Sequence, residues 1–215
     1  MNTETIEWLV SMAEKDNYDS EEVMIAEDDW GKAVYFIVSG WVRLENIYSQ
    51  ETVTIEIIGK GGSVGEAGIL DGVNNNTRVV AMSKVEVLTV SAQRFIQILF
   101  RDSQIQNRFL KLMVSRVTEY QKYSQFYRQT GKVRLATILI SLADKYGKLT
   151  EKGIQLYNFP SQNLADLAQL NIEECSQIID KFKHKNLINI DVNSQSLYLP
   201  NIKQLHHIIG KLGNE

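Results

Sequence analysis

The chain has 215 residues, a hydrophobic share of 44% and a formal net charge of −3, the make-up of an ordinary globular protein with room for one large domain or two smaller ones. No apolar run is long enough to span a bilayer, Met1-Asn2-Thr3-Glu4 is not the start of a signal peptide, and the lone Cys175 forms no internal disulfide. These features suit a reducing cytoplasm and no membrane. One cysteine, Cys175, and three histidines, all three histidines beyond residue 183, exclude an iron–sulfur cluster or a haem site in the N-terminal half.

Residues 5–14 place Ile6, Leu9, Val10 and Ala13 at helical spacing and predict a short amphipathic helix. Strand-like segments follow: Val34–Val38 between Gly31 and Ser39-Gly40, an alternation through Val42 and Leu44, and another through Val53, Ile55 and Ile57. Then comes Gly62-Ser63-Val64-Gly65-Glu66-Ala67-Gly68-Ile69-Leu70, answered by Thr77-Arg78-Val79-Val80-Ala81 after an Asn-rich turn. Three glycines in seven residues let the backbone turn tightly and approach a ligand that a Cβ would exclude. One carboxylate and one guanidinium flank this loop in apolar surroundings, an arrangement suited to an anionic molecule that carries hydroxyls. Arg78 and backbone N–H groups would face a phosphate, and Glu66 would accept from sugar hydroxyls. The alternative is a glycine-rich turn in which Glu66 and Arg78 pair with each other. Arg78–Met82 and Val85–Val90 complete a set of short strands with glycine turns, the pattern of a small barrel or jelly roll.

Ser91–Phe100 reads as a short helix, and Asp102 caps a long one expected to run to about Arg128. Its apolar positions (Ile105, Phe109, Leu112, Met113, Val117, Tyr120, Tyr127) step by three and four, and such a seam packs on a copy of itself or on a neighbour. A homodimer interface is expected at Phe109, Met113, Val117 and Tyr120. Gln129-Thr130-Gly131 reads as a hinge, and Lys132–Tyr146 as a helix ended by Gly147.

Ser161 caps the predicted helix through Ala168, and Asn171 caps a second over Ile172–Phe182, with Glu174 three residues on. Leu187–Val192 and Leu197–Leu199 around Asn193-Ser194-Gln195-Ser196 read as a hairpin, which makes the whole a winged helix-turn-helix. Residues 1–130 carry a net −5 and residues 131–215 a net +2, a weak basic bias toward nucleic acid at best. Candidate DNA contacts are Ser161, Gln162, Ile172, Glu173, Gln177, Lys181 and Lys183. Glu173 would accept from a cytosine amino group, Gln177 is the neutral polar residue of useful length, and the lysines would touch phosphates or form a solvated face. No nucleophile–His pair, metal-ligand spacing or P-loop is present, so no enzyme, metal or cofactor is expected.

The glycine-rich loop, the Asp29-Trp30-Gly31 to Ser39-Gly40-Trp41-Val42 turns and the order of β-roll, long helix, hinge and winged helix resemble the CRP/FNR family of bacterial transcription regulators. The resemblance implies an α+β chain with a cyclic-nucleotide-binding, jelly-roll-like β-roll over residues 1–100, a dimerisation helix over 101–130 and a winged helix-turn-helix over 131–215. It makes Glu66 the ribose ligand and Arg78 the phosphate ligand, with Gly65, Ala67 and Val79 beside them. Val79 stands where the family has Ser or Thr, and the second helix lacks the family's Arg. On the long helix, Arg116, Glu119, Tyr120 and Tyr123 would meet the base. A carboxylate suits guanine's N1–H and amine better than adenine's edge, so cyclic di-GMP or another guanine nucleotide stands slightly ahead of cyclic AMP. The bland alternative is an exposed Arg116–Glu119 pair. Two outputs remain open: ligand-gated binding of double-stranded DNA, or a second-messenger receptor acting on another transcription regulator.

Overall fold

The computed structural model describes residues 13–49, 51–71 and 76–210. The helix expected over residues 5–14 lies outside them but for its last two residues, and of these Glu14 already opens a strand. The chain divides into two compact units, Met1–Tyr120 and Gln121–Glu215.

Among the described residues, eight strands build the first unit: β1 (Glu14–Tyr18), β2 (Val23–Ile25), β3 (Ala33–Ser39), β4 (Trp41–Ile47), β5 (Thr52–Gly59), β6 (Ser63–Val64), β7 (Thr77–Ala81) and β8 (Val85–Ser91). They form two antiparallel four-stranded sheets, ordered β1-β8-β3-β6 and β2-β7-β4-β5. Met24, Ile25, Ile37, Val42, Ile58, Val64, Val79, Ala81, Val85 and Val87 fill the space between the sheets, the arrangement of a jelly roll. The β3–β4 turn needs Gly40: its φ is +86°, and a Cβ there would stand 2.2 Å from the Lys84 carbonyl oxygen. A short helix α1 (Glu66–Leu70) follows β6, and α2 (Ala92–Arg101) follows β8.

The long helix is α3, Ser103–Tyr123. Asp102 accepts from the N–H of Gln104 at 2.8 Å and of Ile105 at 3.2 Å, as a capping side chain does. The expected run to Arg128 is too long. A 3-10 turn over Phe126–Arg128 follows, because Phe126 is drawn almost wholly out of solvent and lies against the Tyr123 ring at 5.1 Å.

The second unit holds α4 (Gly131–Tyr146), α5 (Ser161–Ala168), α6 (Ile172–His184) and α7 (Ile202–Gly210), with an antiparallel sheet ordered β11-β12-β10-β9. Its strands are β9 (Lys148–Thr150), β10 (Gly153–Tyr157), β11 (Asn189–Asp191) and β12 (Ser196–Leu199). Hydrophobic residues of α4, among them Leu135, Ala136, Leu139 and Ala143, are buried. Pro160, not Ser161, occupies the capping position of α5, and no side chain caps that helix. Strand β11 is shorter than the predicted Leu187–Val192, since the Leu187 N–H is still bonded to the Phe182 carbonyl of the helix end and the ladder to β12 runs from Asn189 to Asp191.

Candidate functional site

Gly65 turns the chain from β6 into α1 at φ +105°, where a Cβ would stand 2.4 Å from the Ala33 carbonyl oxygen. Only glycine takes that conformation and that approach together. The turn delivers Glu66 into the interior, 3% exposed. Its carboxylate accepts from the Ser63 hydroxyl through Oε1, and Arg116 Nη1 stands 3.5 Å from Oε2. Arg116 reaches there from α3 and donates through Nη2 to the Ser63 carbonyl oxygen at 2.6 Å. One turn later the Tyr120 hydroxyl donates to Glu56 Oε2 at 3.2 Å.

Two carboxylates and one guanidinium therefore meet on one side of α3. Burial acts to lower the Arg116 pKa, but the charges of Glu66 and Glu56 outweigh it and hold it above the usual arginine value. Burial raises the Tyr120 phenol, and Glu56 raises it further. Both groups keep their protons throughout the physiological range. Glu56 carried no signal in the sequence: it sits in a strand-like run, and only its cross-strand position reveals it.

Arg78 belongs to a different cluster. It pairs directly with Glu45 across the β4–β7 ladder, and its Nε donates to Glu45 Oε2 at 2.8 Å. Glu45, 5% exposed, also accepts from Arg43 Nε at 2.5 Å. Arg43 in turn makes a bidentate pair with Glu21 at 2.8 and 2.7 Å. The neighbouring rung joins Leu44 to Val79 on one side and to Glu56 on the other. Side chains alternate along a strand, so Arg78 and Glu56 occupy opposite faces of the sheet, and Val79 lies in the core. Glu66 and Arg78, expected as two arms of one site, are held by different partners: Glu66 by Ser63 and Arg116, Arg78 by Glu45. Ala67 is exposed beside Glu66.

The other residues expected on α3 divide. Glu119 is half-buried. Tyr123 donates to Ser141 Oγ at 3.1 Å within the second unit. Phe109 and Met113 are half-buried, and Phe109 meets Phe95 edge-on at 5.6 Å within the first unit. Leu110, Val114 and Val117 are 54%, 65% and 55% exposed and lie four and three residues apart, an apolar stripe on the helix surface. Tyr120 is 47% exposed. Of the four interface candidates, only Val117 is on that stripe.

In the second unit, Gln169 takes a left-handed conformation at the end of α5. Asn171 Oδ1 then accepts from the Glu174 N–H at 2.8 Å and starts α6. Cys175, Ile178, Ile179 and Phe182 bury one face of α6. The opposite stripe presents Glu173, Gln177, Asp180 and Lys181 to solvent, and Ile172, at the start of the helix beside the buried face, is 41% exposed. Lys183 lies 3.3 Å from Asp180, and Gln162 is bonded to Asp166 at 2.7 Å. Ser161 is half-buried.

Residues 15–102 match the family described as cyclic nucleotide-binding domain. The cAMP-activated global transcriptional regulator CRP of Salmonella typhimurium is 24% identical over 191 residues, 86% of this chain and 90% of that protein. The structure of FixK2 from Bradyrhizobium japonicum superposes with a TM-score of 0.77 at 18% identity, over 91% of this chain and 96% of that one. That of the c-di-GMP-responsive global regulator CLP of Xanthomonas campestris gives 0.68 at 18% identity, over 93% and 100%.

Proposed function

We infer that this chain, a cyclic nucleotide-binding domain protein whose homologues and structural neighbours are CRP/FNR regulators, is a second-messenger-gated transcription regulator and not an enzyme. The observation that carries the reading is the Glu66–Arg116 contact at 3.5 Å, which ties the buried carboxylate of the glycine-rich loop to the long helix. A cyclic nucleotide entering there offers ribose hydroxyls to Glu66 and a purine to Arg116 and Tyr120. Binding would then be felt by α3, which pairs with a second copy through Leu110, Val114 and Val117 and presents two α6 helices to double-stranded DNA in the cytoplasm.

A guanine-containing ligand, cyclic di-GMP foremost, fits better than cyclic AMP. Glu56, beside Tyr120 on the base side, is an acceptor matched to guanine's N1–H and amine, and CLP of Xanthomonas campestris responds to cyclic di-GMP. A second output is favoured by one observation: the exposed stripe of α6 carries Glu173 and Asp180 and no arginine, so the ligand would act on another transcription regulator.

Calorimetric titration with cyclic AMP and, separately, cyclic di-GMP tests the reading. Binding of either that is lost in Glu66→Gln supports it. No binding of either returns Glu66 and Arg116 to a structural ion pair.

A further inference from the structure

We propose that Ile172 is a base-reading residue that recognises the C5-methyl group of thymine, once in each half of a two-fold operator. The inference rests on the DNA-binding reading above. Ile172 is the first residue of α6, directly after the Asn171 cap, and in a helix-turn-helix the start of the second helix meets base edges in the major groove. It is 41% exposed, whereas the apolar residues of the buried face, Cys175, Ile178, Ile179 and Phe182, are at most 7% exposed. A large part of the Ile172 side chain therefore stays open to solvent at the start of α6.

Its neighbours on the exposed stripe narrow what it can meet. Glu173 is a carboxylate, which phosphates repel, so this end of the helix is ill suited to lie on the backbone. Gln177 is neutral. Neither Lys nor Arg occurs before Lys181 in the helix, and bidentate donation to guanine O6 and N7, the contact an Arg or Lys would make, is absent from its first two turns. In the major groove only thymine offers an apolar group. A β-branched side chain on the first turn of a capped helix has few rotamers to lose on meeting it. Lys181, Lys183 and Lys185 at the far end supply phosphate contacts, which position the helix without choosing a sequence.

The experiment begins with the full chain and a random double-stranded DNA pool, selected in the presence of cyclic AMP and, in a parallel arm, cyclic di-GMP. In the duplex selected, each thymine is replaced singly by deoxyuridine, which removes only the methyl group. One thymine per half-site should weaken binding about fourfold when so replaced, the worth of one apolar carbon taken from water. Ile172→Ala should bind the thymine and uracil duplexes equally, and Ile172→Val should keep part of the preference. Circular dichroism checks that both variants stay folded. A specific duplex indifferent to every replacement, or an Ile172→Ala protein that still prefers thymine, overturns the inference and leaves DNA binding standing. Failure to select any sequence in either arm removes the DNA reading, and the inference goes with it.

Discussion

Arg78 and Glu45 face each other across the β4–β7 ladder with 2.8 Å between Nε and Oε2, and Arg43 holds the same carboxylate from the adjoining position. Glu45 is nearly inaccessible, so its charge is tolerated only while guanidinium groups satisfy it. Glu45→Ala is expected to cost about 2–3 kcal/mol in urea unfolding, since it strands the Arg78 side of the cluster and opens a void. Arg78→Ala should cost about 1 kcal/mol, because Arg43 remains, and it should leave nucleotide affinity within about twofold of the parent. A tenfold loss of affinity in Arg78→Ala would bring that residue back into the ligand site.

Arg116 carries two duties, the Ser63 carbonyl and the Glu66 carboxylate. Arg116→Ala should lower stability by about 2–3 kcal/mol, the penalty for leaving a buried charged acceptor short of its donor. Glu66→Gln keeps the shape of the side chain and should cost less stability while abolishing nucleotide binding. Denaturation and calorimetry on the two variants separate the structural duty from the binding one.

The exposed stripe of α3 predicts which substitutions dissociate a dimer. Val114→Glu and Val117→Glu should shift the sedimentation coefficient to that of a monomer without loss of helicity. Phe109→Ala should act differently. It removes an edge-on contact with Phe95 inside the chain and should destabilise folding by about 2–3 kcal/mol, somewhat below the range for a fully buried Phe, with the dimer retained.

Cys175 has no solvent exposure, and burial first, then the charges of Glu174 and Asp166, push its thiol from 9.0 up to about 11. The native protein should therefore react with a thiol reagent at pH 8 only as fast as α6 opens. The raised pKa also sets a sign for stability. The protonated thiol is favoured in the fold, so its contribution is complete below pH 9 and is lost progressively as pH rises from 9 toward 11. Unfolding midpoints measured across that window, in the parent and in Cys175→Ala, check it.

Short-range patterns and chemistry were readable in the sequence where a local rule acts alone. Asn171 as a cap with Glu174 three residues on follows from side-chain chemistry and is found as expected. The β-roll strands around Gly40 follow from turn requirements. Long-range register was not readable. The alternation through Val53, Ile55 and Ile57 misses that Leu44 pairs with Glu56 while Glu45 pairs with Thr54, which leaves Ile55 as an extra residue and puts Thr54 and Glu56 on opposite faces. Neither the pairing of Arg78 with Glu45 nor the arrival of Tyr120 at Glu56 is encoded in spacing along the chain. The end of α3 failed for a similar reason: an unbroken helical pattern says nothing of a core elsewhere that claims Phe126.

That claim on Phe126 makes α3 a keyed shaft. Arg116 and Tyr120 lock one stretch of it to the first unit, and Tyr123, through Ser141, locks the next turn to the second. Each residue of an α-helix advances the angle by about 100° and the height by 1.5 Å. A single alanine inserted between Arg116 and Tyr120 would therefore swing Tyr120 off Glu56 while Arg116 kept Ser63 and Glu66, a loss of stability with no side chain removed.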